Sequence, residues 1–114
     1  MPRKLHVLLV EDESVLRRCL AAHLETRGAR VRAAGSIEEA NGLLESHDFD
    51  VAILDVGLPD GDGLSLLEQT RPEASVVITA QPDPQRFEQK GVQYALEKPL
   101  DLDEVSRVLE AAAA

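Results

Sequence analysis

The 114 residues suit a single domain with one hydrophobic core. With 44% apolar residues but only 3% aromatic ones and no Trp, that core must be aliphatic, and a net charge of −9 argues against direct nucleic-acid binding. Cys19, the one cysteine, excludes an intrachain disulfide and is expected to pack as a small apolar residue; the apolar runs are strand-sized, so no signal peptide or membrane association is expected and the chain reads as cytoplasmic.

Leu5 to Val10 is a short branched apolar run that breaks off at Glu11-Asp12-Glu13, which predicts a buried strand delivering acids to its tip. Leu16, Leu20 and Leu24 then recur every four residues, with charged residues between them, as an amphipathic helix stopped by Gly28. Arg30 to Ala34 is a weaker strand. Ser36-Ile37-Glu38-Glu39 has capping-box spacing and opens a helix through about Leu44.

Asp50 to Leu54 is a third buried run with Asp55 at its end, followed by a loop dense in Gly and Pro from Val56 to Gly63. A short helix over about Leu64 to Gln69 stops before Pro72. Ser75 to Thr79 is a fourth strand, Asp83-Pro84 opens a brief helix ending near Gly91, and Gln93 to Glu97 is a fifth strand. Asp101 caps a last helix whose apolar face is Leu102, Val105, Val108 and Leu109.

Five strands alternating with helices, through connections too long for hairpins, predict an α/β domain: an open, doubly wound, five-stranded parallel sheet with helices on both faces. In such a sheet, ligands bind beyond the carboxyl ends of the strands. Glu11, Asp12, Asp55, Thr79 and Lys98 all fall at those ends and are expected to face one shallow crevice.

Each of these residues has a plainer role available: Asp12 as a helix cap, Asp55 as the start of a turn, Thr79 as a β-branched strand end, Lys98 as a solvated cation. Four separate accidents do not explain why acids, a hydroxyl and an ammonium collect at the same strand ends. Gathered carboxylates repel one another, and a hard cation with oxygen ligands, Mg²⁺ above all, offsets that repulsion while keeping sites open for phosphoryl oxygens. Phosphoryl transfer needs that set, with Asp55 on its Gly-rich loop as the nucleophile.

The motifs Val10-Glu11-Asp12-Glu13, Leu54-Asp55-x-x-Leu58-Pro59-Asp60-x-Asp62-Gly63, Ile78-Thr79-Ala80 and Glu97-Lys98-Pro99 resemble the receiver domain of response regulators over nearly the whole chain. The resemblance implies a flavodoxin-like receiver domain spanning residues 1–114, a two-component signalling switch. It makes Asp55 the phosphoacceptor, Asp12 a direct Mg²⁺ ligand with Glu11 acting through water, and the Gly57 carbonyl a further ligand. Thr79 and Lys98 would bind phosphoryl oxygens, Ala80 would leave room for the donor, and Gly57 and Gln81 would tune hydrolysis of the acyl phosphate. A cis Lys98–Pro99 bond is implied as well.

Two departures stand out. The family's aromatic residue three positions before the lysine is Ala95 here, and Tyr94 faces the other side of the strand. The stretches from Asp55 to Thr79 and from Thr79 to Lys98 are also short, which predicts trimmed third and fourth helices and an unusual output or dimer surface.

The partners implied are a sensor histidine kinase or phosphotransfer protein, a downstream effector domain or protein, and a phosphorylation-dependent homodimer. The domain is then a switch that catalyses its own phosphorylation and dephosphorylation rather than a conventional enzyme. Two competing functions are a Mg²⁺-dependent phosphohydrolase, against which no Asp-x-Asp pair begins at Asp55, and an interaction module independent of phosphorylation. His6, His23 and His47 have no ligand spacing and are assigned no metal. Arg17 and Arg18 read as an exposed helix face, on the helix where the family docks its phosphodonor.

Overall fold

A computed structural model describes residues 4–114. The strands of its main sheet are β1 (His6–Val10), β2 (Arg30–Ala34), β3 (Val51–Asp55), β4 (Ser75–Thr79) and β5 (Tyr94–Glu97), and Gly57–Leu58 pairs with Gly61–Asp62 in a small separate ribbon. All neighbours are parallel, in the order β2-β1-β3-β4-β5, so the chain reverses direction across the sheet between β1 and β3. The helices are α1 (Ser14–Thr26), α2 (Ile37–Ser46), α3 (Leu67–Thr70), α4 (Pro84–Gln89) and α5 (Leu102–Ala113).

Alternation along the central strands builds two aliphatic layers. Val7, Leu9, Val51, Ile53, Val76 and Ile78 pack with Leu20 and Leu24 of α1 and with Val105 and Leu109 of α5. Leu8, Val10, Ala52, Leu54 and Val77 pack on the other side with Ala40 of α2, Leu67 of α3 and Phe87 of α4. Near-continuous apolar runs were therefore the correct sign of strands buried on both faces.

The helix boundaries follow their caps. Ser36 Oγ accepts from the Glu39 amide, Asp83 from the Arg86 amide, and Asp101 from the amides of Asp103 and Glu104. α2 has a second cap from far along the chain, because the two carboxylate oxygens of Asp60 accept from the Ile37 and Glu38 amides at 2.9 and 3.0 Å. The third helix is as short as its sequence suggested: a 3₁₀ turn over Gly63–Leu66 runs into one α-turn, ending at Arg71 before Pro72. α4 has only six residues.

Cys19 departs from expectation, since it is exposed. About 100° separates successive residues around a helix, so Cys19 is rotated well off the stripe centred on buried Leu20 and Leu24. Among the described residues, no helix is long and apolar enough to cross a membrane.

Candidate functional site

The parallel register sets the strand ends level: Val10 lies opposite Leu54, Asp55 opposite Ile78, and Thr79 opposite Glu97. Each strand therefore releases its next residue at the same edge. Glu11 follows β1, Asp55 ends β3, Thr79 ends β4 and Lys98 follows β5, and the Lys98 amide donates to the Thr79 carbonyl at 2.8 Å. The Lys98–Pro99 peptide is cis.

The expected residues come together. Lys98 Nζ lies 2.7 Å from Glu11 Oε1 and 3.2 Å from Asp55 Oδ2. Glu11 is fully buried, and its other oxygen accepts from the Glu13 amide at 3.0 Å. Asp55 is 5% exposed, with Oδ1 accepting from the Gly57 amide at 3.3 Å. Both carboxylates are thus pinned on two sides, while Asp12 projects into solvent.

Burial of the Lys98 ammonium works to lower its pKa. The hydrogen bond to Glu11, the charges of Asp55 and Glu11 and the hydrogen bond to Asp55 outweigh that effect and hold the pKa above the usual lysine value. Lys98 therefore stays charged beside the acids.

One oxygen from each of Glu11, Asp12 and Asp55 lies within 4.8 Å of the others. This all-oxygen donor set fits a hard divalent cation. Glu11 and Asp55 each hold Lys98 and a backbone amide, whereas Asp12 is exposed beside them. The three histidines belong to no metal-ligating group among the described residues.

Asp55, Gly57, Thr79, Ala80, Gln81 and Lys98 border one cleft of about 490 Å³, with Asp12 at its rim. Thr79 is 5% exposed and its hydroxyl is engaged with Gln81, donating to the carbonyl at 3.2 Å and accepting from the amide at 3.1 Å. Ala80 and Gln81 are exposed.

Asp12 is not the helix cap. Glu13 takes that role, accepting from the Val15 and Leu16 amides, which leaves the Asp12 carboxylate free of helix duty. Arg17, read from sequence as a solvated residue, instead donates to the carbonyls of Glu11 and Asp12 at 2.8 and 3.3 Å and so braces the acidic turn. Its place one turn into the helix was the only signal for this.

Sequence reading also gave no role to Gly63. A Cβ placed there would sit 1.8 Å from the Asp55 carbonyl oxygen, so the loop can fold back against the end of β3 only with glycine at this position. The Gly63 amide donates to the Val56 carbonyl at 2.8 Å and closes the loop. On the far wall Arg86 of α4 forms an ion pair with Asp62.

The family profile of the response regulator receiver domain matches residues 7–110. The chain is 36% identical over 114 residues to the virulence transcriptional regulatory protein PhoP of Salmonella typhimurium, and 34% identical to the transcriptional regulatory protein PhoP of Escherichia coli. In both cases the match takes in 94% of this chain and 51% of the relative, so the chain spans about half the length of the curated relatives it matches.

Among solved structures, the non-phosphorylated HemR receiver domain of Leptospira biflexa is 34% identical, with a TM-score of 0.85 over 97% of this chain and 95% of that one. A Burkholderia pseudomallei response regulator, solved with a phosphorylated aspartic acid and a calcium ion, is 28% identical, with a TM-score of 0.83 over 97% of this chain and 69% of that one. A CheY-like receiver domain from Methanospirillum hungatei, at 22% identity and a TM-score of 0.88 over 97% of this chain and 94% of that one, shares the fold. The chain belongs to the response regulator receiver domain family, the phosphoacceptor switch of two-component signalling.

Proposed function

We propose that Asp55 accepts the phosphoryl group in a Mg²⁺-dependent reaction, with a sensor histidine kinase or phosphotransfer protein as the donor. The observation that carries this reading is the placement of the Lys98 ammonium 3.2 Å from Asp55 Oδ2, among acids at one end of the sheet. A carboxylate held by Lys98 and the Gly57 amide is fixed in orientation, which is what in-line attack on phosphorus requires.

Asp12 and Asp55 would hold the Mg²⁺ with the Gly57 carbonyl, and Glu11 would act through water. When bound, the ion supplies positive charge to the phosphoryl oxygens. The residues of the chain do the rest. Lys98 neutralises one phosphoryl oxygen, and Thr79 rotates its hydroxyl from the Gln81 carbonyl toward another. Ala80 leaves the approach open, and Gln81, exposed beside it, tunes with Gly57 how fast water removes the group.

The transfer consumes no external substrate repeatedly, so the domain works as a switch. Movement of Thr79 would shift the loop leading to α4 and change the surface offered to a downstream effector or to a second copy of the domain. Residues 1–114 would act as one receiver unit, in the cytoplasm where such donors work. The radius of gyration of 12.7 Å agrees with a single domain of this size.

Incubation with Mg²⁺ and acetyl phosphate, followed by intact mass measurement, tests the assignment. A single phosphoryl adduct is expected, absent from Asp55→Asn. Rapid turnover with no adduct would instead support a phosphohydrolase, and no reaction with any donor an inert interaction module.

A further inference from the structure

Arg86 is a second cation on the wall of the cleft that holds Asp55, Thr79 and Lys98, and the phosphoacceptor reading gives it no role. Its guanidinium pairs with Asp62, and the two side chains are 38% and 36% exposed. The two partners are held very differently. Asp62 accepts from the Leu64 amide at 2.9 Å through its other oxygen, and lies opposite Gly57 in a small two-stranded ribbon, so it is fixed to the loop after Asp55. Arg86 sits on a six-residue helix reached from Thr79 by residues 80–83 alone, and among the described residues its side chain makes no other hydrogen bond or ion pair.

We propose, building on Asp55 as phosphoacceptor, that Arg86 is a positioning residue for the phosphoryl group, held in reserve by Asp62 and transferred to the phosphoryl oxygens as they enter the cleft. Three physical points carry this. A half-exposed ion pair between single charges is weakly held, so it is exchanged readily. A phosphoryl group carries more negative charge than one carboxylate and presents several oxygens to the planar guanidinium fork. Exchange also brings a positive charge to the acids around Asp55, where one ammonium stands beside Glu11, Asp12 and Asp55.

The reaction it assists is balanced within the chain and donor. An Asp55 carboxylate oxygen supplies the electron pair for the new O–P bond while the bond from phosphorus to the acyl oxygen of acetyl phosphate breaks, and that pair leaves with acetate. Arg86 forms and breaks no covalent bond. Its contribution is to hold the moving phosphoryl oxygens, and because α4 carries it, the exchange pulls on α4 directly. This gives the short helix a link to the site that does not require an aromatic side chain at Ala95.

The test uses the whole chain with Mg²⁺ and acetyl phosphate, comparing labelling rates by intact mass for wild type, Arg86→Ala and Asp62→Asn. Both substitutions break the same ion pair, so a purely structural clasp predicts the same change in both. The proposal predicts opposite changes. Arg86→Ala should label about tenfold more slowly, short of the roughly hundredfold loss typical of a fully enclosed anion-stabilising donor, while Asp62→Asn, which frees Arg86, should label faster than wild type. Equal rates in all three proteins, or both variants slowed alike, would overturn the role of Arg86 while leaving Asp55 as acceptor. A wild-type protein that takes no label would remove the phosphoacceptor reading and this inference with it.

Discussion

Gly63→Ala is the substitution with the sharpest consequence. A methyl group at this position meets the Asp55 carbonyl oxygen at 1.8 Å, the Asp55 carbonyl carbon at 2.8 Å and the Val56 Cα at 3.3 Å. All three are backbone atoms of Asp55 and Val56, so no rotamer change can relieve the overlap. Reaching ordinary contact requires more than an ångström of displacement, which must come from the loop or from the end of β3. Overpacking of this kind costs about 1–3 kcal/mol and sometimes more, and a misplacement of about 1 Å at a reacting group costs on the order of 10²-fold in rate. Urea unfolding and acetyl phosphate labelling measure the two effects separately. Gly42→Ala is the control: the site is exposed in the interior of α2 with nothing within 4 Å, so alanine should stabilise by about 0.5–1 kcal/mol and leave labelling unchanged. A Gly63→Ala protein with the wild-type midpoint and the wild-type labelling rate would refute the close-approach argument.

Lys98 has a raised pKa, so the stability it provides is complete below the ordinary lysine value and disappears as pH rises through the folded value; alkaline unfolding of wild type should converge on that of Lys98→Met only at the top of that range. Asp60 is the opposite case. The Ile37 and Glu38 amides depress its pKa, so its contribution is complete above the ordinary carboxylate value and is lost as pH falls through the lower folded one; the Tm difference between wild type and Asp60→Asn should shrink to nothing in acid. Mg²⁺ at ten times its Kd should stabilise wild type by about 1.4 kcal/mol, and Asp12→Ala should respond to the same concentration far less, as thermal melts can show.

The layered fold was legible because apolar runs, caps and breakers agreed with one another. Val51 to Leu54 could only be a doubly buried strand, and Pro72 and Pro84 marked the short third and fourth helices. The site was legible for a simpler reason, since parallel strands must release their following residues at one edge, and the motif residues stand there. What the sequence hid were contacts between distant segments. Nothing local in Asp60 says that it caps a helix 22 residues earlier, and Glu13 competes with Asp12 for the α1 cap on equal chemical terms until the turn is built. Cys19 was misplaced because helical phase, and not residue type, decides which side chains are covered.

Charge distribution explains why this arrangement suits a switch. Glu11 is fully buried, a position a carboxylate tolerates only with a close cation and hydrogen bonds, and it takes the shortest contact Lys98 makes. Asp55 receives the longer one, and Asp12 none among the described contacts. One ammonium therefore faces three acids, and the surplus negative charge falls on the two residues nearest the cleft mouth. A phosphoryl group arriving there deepens the surplus, so it is retained only if further positive charge is recruited, from a divalent ion or from a guanidinium on a neighbouring helix. On the proposed reading, recruiting Arg86 would move a group held by Asp62 before transfer, and in that movement a change of charge on Asp55 would become a change of shape at α4.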